Sequence, residues 1–373
     1  MVQSLLSAKP ARFPRESGAR QDERIHNMAL RKEINGKPRI SQVEPEAAIT
    51  GGELYIRGKG LSPGAPSMLP PRVMIGDVSA PVVIGSDSLV IVKVPEGASA
   101  GELVVGRGDQ TSEIWTCDIG ISIAENLHPV SSPAVDSLGN IYATFSGSRG
   151  QKVPVAVYRI DLNFNIRPFI NDLMNATAIA IGRDGMIYIS SRFDGMVYQV
   201  TPAGNMGVFV EGMGVATGLC FDEENNLYVG DRSGTIFKIS PSRQIFVYAT
   251  LEPSISAYHL AWGPDRHLYV SGPTTSSFDC IYRVADNGDV EVFYRGLGRP
   301  QGMAFDTAGN LYSAASYAGR KGVVRIRPDR SISHFLSGPG IVGLAFSPSR
   351  AMIVATTSAI YRVDVGIRGY QTF

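Results

Sequence analysis

The chain offers few groups that do chemistry near neutral pH: five histidines and three cysteines in 373 residues. His259, in Tyr258-His259-Leu260-Ala261-Trp262, is the best single candidate for acid–base work, because imidazole titrates near neutrality. A histidine in an apolar strand also reads as a structural residue. His128, before Pro129, reads as a loop residue or a hydrogen-bond link between domains, and His267 as a turn residue. Cys117, Cys220 and Cys280 are far apart, without CxxC or zinc spacing, so buried free thiols are expected. Asp222-Glu223-Glu224-Asn225-Asn226 gathers oxygen donors but lacks the D-x-D-x-D-G spacing of a calcium loop, so it reads as a turn. No HExxH, P-loop or G-x-S-x-G elbow occurs, and Ser146–Gly150 lacks the elbow's strand–turn–helix setting. Arg299-Pro300-Gln301-Gly302 places an amide oxygen just before a strand, where it could bind a cation or a polar solute.

Charge narrows the classes. Formal net charge is +1, which sets up no field for nucleic acid or a membrane surface. From residue 125 onward arginines outnumber lysines 18 to 3 against 20 acids, which leaves an RNA-binding face unsupported. No apolar run reaches the roughly 18 residues of a membrane span. Residues 1–37 are rich in Lys and Arg and lack periodic apolar residues, so they read as a basic, disordered arm. Met28 could be the true start. No secretory apolar stretch is visible, and with the cysteine usage this points to the cytoplasm; a trimmed extracellular chain would look the same.

The elements that must position these residues are short strands. From Pro38 the chain alternates apolar and polar residues between turns at Gly51-Gly52, Gly76-Asp77 and Gly85-Ser86, the pattern of a small sandwich. Farther on, six units recur with third-position residues Tyr142, Tyr188, Tyr228, Tyr269, Tyr312 and Val354. Each carries a preceding apolar strand, a turn rich in Asp, Gly and Asn, and a later VYRI-like strand; most close on a fourth. Four strands at a period of about 42 residues describe a β-propeller blade, and six units make six blades. The stretch 121–126 matches an outermost strand without a blade of its own. It is expected to pair with the sixth blade; the competing reading gives that place to Gly369–Phe373.

Over about residues 38–119 the pattern V-x-P, GG-x-L-x-I-x-G-x-G-L, V-P-x-G and G-x-L-V-V resembles the IPT/TIG family, which implies an immunoglobulin-like fold used for binding or spacing. Over 121–373, motifs such as P-Q-G-M-A-F-D-T-A-G-N-L-Y resemble NHL-repeat and gluconolactonase-like six-bladed propellers. The second resemblance implies a divalent metal in the central channel, held by a Glu in E-G-P, an Asn in R-P-N-G and an Asp in a D-G step. Here the first slot reads Ser131-Ser132-Pro133 and the second holds Gln301, while no other first-strand entrance supplies an acid. No cofactor is therefore expected; calcium or zinc enters only if the family's hydrolase chemistry persists, with Gln301 as a weak ligand. By the same register Ser132, Thr177, Thr217, His259 and Gln301 surround one channel mouth, joined at the rim by Arg192, Asp231 and Arg232.

The expected fold is all-β: an arm over 1–37, an IPT/TIG sandwich over 38–120 and a six-bladed propeller over 121–373. The expected function is non-catalytic binding of a small polar ligand or a protein partner at the channel mouth. A metal-dependent lactonase-type hydrolase with an altered site is the alternative, with His259 as its one catalytic candidate. Neither nucleic acid nor a membrane span is expected, and the sequence sets no oligomeric state.

Overall fold

The computed structural model describes residues 37–62, 70–99, 101–145, 152–274 and 279–372. The basic arm up to residue 36 and Ser146–Gly150 lie outside them. The described residues form strands joined by turns, without a helix, and none contains a helix long and apolar enough to cross a membrane.

The first domain is a two-sheet sandwich. One sheet runs in the order Arg39–Glu44, Glu53–Lys59, Leu89–Lys93, Val82–Gly85. The other runs Trp115–Thr116, Glu102–Arg107, Arg72–Ile75, Val78–Ala80, with Gln110–Thr111 paired to Glu102–Arg107. Period-two alternation sends Leu54, Ile56, Val73, Ile75, Val90, Val92, Leu103 and Val105 into one shared core.

The second domain is a ring of six blades, as the repeats require. The inner strands of blades one to six begin with Ala134–Val135, Ala176–Ile181, Ala216–Phe221, His259–Trp262, Met303–Phe305 and Ile341–Phe346. Blade six takes its outer strand from Ile121–Glu125, antiparallel to Ala359–Val363. This excludes the reading in which Gly369–Phe373 fills that place. Closure by a strand from the start of the ring joins its two ends and covers an exposed edge.

The recurring tyrosine explains why the repeat was visible. Tyr142, Tyr188, Tyr228, Tyr269 and Tyr312 each donate their hydroxyl to the carboxylate of the preceding turn: Asp136, Asp184, Asp222, Asp265 and Asp306. The other carboxylate oxygen of most of these acids accepts backbone N–H groups of the same turn, as Asp222 does from Glu224 and Asn226. The rings of Tyr188, Tyr228, Tyr269 and Tyr312 pack on Phe221, Trp262, Phe305 and Phe346 of the next blade. One residue type thus fastens its own turn and the neighbouring blade. Blade six carries Val354, and there the Ser347 hydroxyl caps the turn by accepting from Ala351 N. Asp222 is fully engaged in this way, so the 222–226 stretch is a turn.

Blade five departs from four strands. Ala47–Ala48 lies parallel beside Ile332–Ser337, and Asp118–Ile119 lies parallel beside Ala47–Ala48, so the sandwich adds two strands to this blade's outer edge. Ile49 N donates to Ser337 O at 2.9 Å, and Ala47 and Ile49 sink into a core shared with Tyr312, Leu336 and Val354. Arg325 pairs with Glu46 at 2.9 Å, and the Arg320 guanidinium lies 3.7 Å from the Tyr55 ring centroid. Main-chain pairing, shared core and side-chain contacts together fix one domain on the other.

Candidate functional site

The axial channel is bounded by the six inner strands. At one end are the entrances of those strands; at the other are the Asp-capped turns. A cavity of about 190 Å³ runs between them, lined by Ser131 and Ser132, Ala178, Leu219 and Cys220, His259 to Trp262, Met303 and, at the turn end, Tyr370 to Thr372.

At the entrance the strands approach closely. A Cβ on Gly302 would collide with Ser132 Oγ, and one on Gly343 with the Ser132 backbone, so glycine is required at both. Gly302 N donates to Val342 O at 3.1 Å, and Ser132 Oγ accepts from Leu344 N at 3.3 Å.

The expected ring residues divide into two groups. Thr177 and Thr217 are buried and engaged: Thr177 donates to Asn175 O, while Thr217 donates to Gly230 O and accepts from Tyr258 N at 3.1 Å. Asp231 is also buried and caps a loop, accepting from Val215 N and the Ser233 hydroxyl. Arg232 donates to Ser254 O and Ile255 O, and Arg192 N to Asn175 O, so both sit in rim loops. His259 and Gln301 differ. His259 is 5% exposed, lines the cavity, and its Nδ1 has no hydrogen-bond partner among the described residues. The Gln301 Oε1 is likewise buried and unpartnered, although its backbone is held by Ala314 and by the Ser271 hydroxyl. His259 and Ser271 are register partners, so one hydroxyl links the two residues' strands. Burial alone drives the His259 imidazole down to about 4, so the ring is neutral at physiological pH.

Sequence reasoning missed three features. Ser190 and Ser271, two positions beyond the recurring tyrosine, donate across to backbone oxygens of the next blade, Thr217 and Gln301. Their place in the repeat was the available signal. Residues 364–372 cross the turn face, a role without periodicity to announce it. Finally, Cys220 faces the cavity; burial, with Asp222 nearby, holds its thiol well above the ordinary range and makes it a poor nucleophile. Cys117 and Cys280 are buried and outside any disulfide. His128 bridges blades rather than domains, through Thr357 O at 3.2 Å.

A metal does not fit this entrance. Among the described residues no three His, Cys, Asp or Glu side chains group to hold one. The nearby carboxylates, Asp231 and Asp279, accept backbone N–H groups, Asp279 from Thr274 and Arg299.

The chain is an IPT/TIG domain joined to a six-bladed β-propeller. Residues 38–114 match the family model described as IPT/TIG domain. No curated protein matches the chain. Among solved structures, a gluconolactonase from Xanthomonas campestris is similar at 14% identity and a TM-score of 0.56, covering 66% of this chain and 89% of its own. Auxiliary nutrient binding proteins from Bacteroides thetaiotaomicron and Bacteroides ovatus are similar at 11% and 12% identity, with TM-scores of 0.53 and 0.51; each likeness covers 88% of this chain and 98% of the other. At such identities the likeness is one of fold. The 88% spans exceed what the propeller alone supplies, so they take in part of the sandwich.

Proposed function

We propose that this is a binding protein whose propeller channel receives a small polar ligand at the strand-entrance end. The observation that carries the reading is His259 Nδ1, buried and unpartnered on a residue of the cavity wall; Gln301 Oε1, on the neighbouring blade and off that wall, is unpartnered too. Buried polar groups are costly without partners, and a ligand hydroxyl or amide would supply them. Gln301 Oε1 only accepts, so the ligand must bring a donor; neutral His259 donates or accepts by tautomer. Both anchors are uncharged, which favours a neutral, hydroxyl-bearing solute. The cavity volume suits a small molecule better than a protein segment. The fold likeness to the nutrient binding proteins, over 88% of this chain, supports the same reading.

The alternative, a metal-dependent lactonase, rests on the propeller likeness to the gluconolactonase. Without an acid free at the entrance, a divalent cation would be weakly held. A thermal-shift screen with neutral sugars and polyols, run beside lactone hydrolysis with and without added calcium or zinc, separates the two. A saturable shift lost in His259→Ala and Gln301→Ala, without hydrolysis, is expected. About one equivalent of bound metal with hydrolysis abolished by Gln301→Ala would overturn it.

A further inference from the structure

The turn face of the ring is crossed by the segment that follows the last blade strand. Ile367 N donates to Arg350 O on blade six, and Thr307 N of blade five donates to Arg368 O. Gly369 forms a bridge with Asp306, and Tyr370 N donates to Phe305 O at 2.8 Å. The segment then passes the axis. The Tyr370 hydroxyl donates to Glu223 Oε1 of blade three at 2.5 Å, and Arg183 Nε of blade two donates to Thr372 O at 2.9 Å. These contacts reach four blades, each at or beside the turn between its first two strands. Tyr370, Gln371 and Thr372 line the channel cavity at this end.

Two features mark the crossing as specific. Gly369 lies against Phe346, where an added Cβ would collide with the Phe346 Cβ, so the backbone needs glycine there. Glu223 accepts from two side chains at once, Tyr370 and the Trp262 indole Nε1 at 2.7 Å. Burial would raise this carboxyl, yet those hydrogen bonds hold it below its ordinary range, so it stays charged and both bonds are charge-assisted. The Tyr370 ring packs at the margin of the apolar clusters around Tyr269 and Phe305 and around Tyr228 and Trp262.

We infer that residues 364–372 are a strap that closes the channel at the turn face, latched by Tyr370 on Glu223. The strap makes the channel a blind pocket, sets its depth, and limits ligands to those admitted at the strand-entrance end beside His259. The ligand part of this rests on the proposed function; the closure does not, and it is tested without a ligand. Trp262 borders the cavity and the latch, and Trp115 is the other tryptophan of the chain. In a Trp115→Phe background, acrylamide quenching of Trp262 fluorescence reads how open the floor is. Gly369→Val and Tyr370→Ala are expected to raise the quenching constant several-fold while the β-sheet circular dichroism is kept. Tyr370→Phe, which retains the ring, should give a smaller rise of the same sign and serves if the other two variants do not fold. Quenching unchanged in the folded variants overturns the strap. Raised quenching together with an empty solute screen sustains the strap and removes the ligand reading instead.

Discussion

The two faces of the propeller ring are built from different chemistry. The turn face repeats one device, a carboxylate that caps its turn and takes a tyrosine hydroxyl. The entrance face is held by short hydroxyls, backbone bonds between blades and glycines that permit close approach. The first arrangement satisfies its charges and is closed over by a strap. The second leaves two polar atoms, on His259 and Gln301, without partners among the described residues. A fold satisfies nearly all its buried polar groups, so an unpartnered imidazole nitrogen on a residue that borders the channel points to where a solute docks.

The largest expected break in this contrast is steric. Gly302→Val drives a side chain into Ser132 and should destabilise the ring by about 3 kcal/mol, the upper end of overpacking. Thermal melting checks it, and an unchanged Tm would show that the entrance is looser than described.

A comparable effect comes from pH. The folded His259 titrates at about 4, against an ordinary 6.5, so between these values the unfolded chain binds the extra proton. Stability is therefore full above about pH 6.5 and falls as pH drops toward 4, by roughly 3 kcal/mol for a shift of this size. His334, pushed down to about 4 by burial and by Arg320, adds loss of the same sign. Urea unfolding from pH 7 to 4 should show the slope in the parent, and His259→Gln with His334→Gln should flatten it.

Smaller effects sharpen the contrast between the faces. Ser190→Ala removes a donor to Thr217 O and an acceptor for Ala178 N, and should cost about 2 kcal/mol because both groups stay buried. Tyr370→Phe removes one charge-assisted bond on the turn face, where solvent reaches part of the latch, and should cost about 1.5 kcal/mol, the low end for a bond to a charged group. Denaturant midpoints rank the two; the reverse order would place the tighter polar coupling on the turn face.

What the sequence disclosed follows from this division. The blades were legible because Tyr188, Tyr228, Tyr269 and Tyr312 do the same work in each unit and so recur at the same spacing. Closure by 121–125 was legible because that strand resembles the outer strands of complete blades. Docking of the sandwich was not, since Ala47–Ala48 and Asp118–Ile119 are too short to carry a period. The strap was invisible for a related reason: its bonds are to distant turns, and the one reading given to 369–373 was as a competing edge strand. At the entrance the residue types were readable and their partners were not. Thr177, Thr217 and Asp231 looked available, and only three-dimensional neighbours reveal that backbone groups already occupy them.

The most direct measurement is a crystal structure grown with the neutral solute that gives the largest thermal shift. The account predicts that solute in the channel, with a donor on Gln301 Oε1 and a polar atom on His259 Nδ1. A channel holding only water, with the solute bound elsewhere, would contradict it.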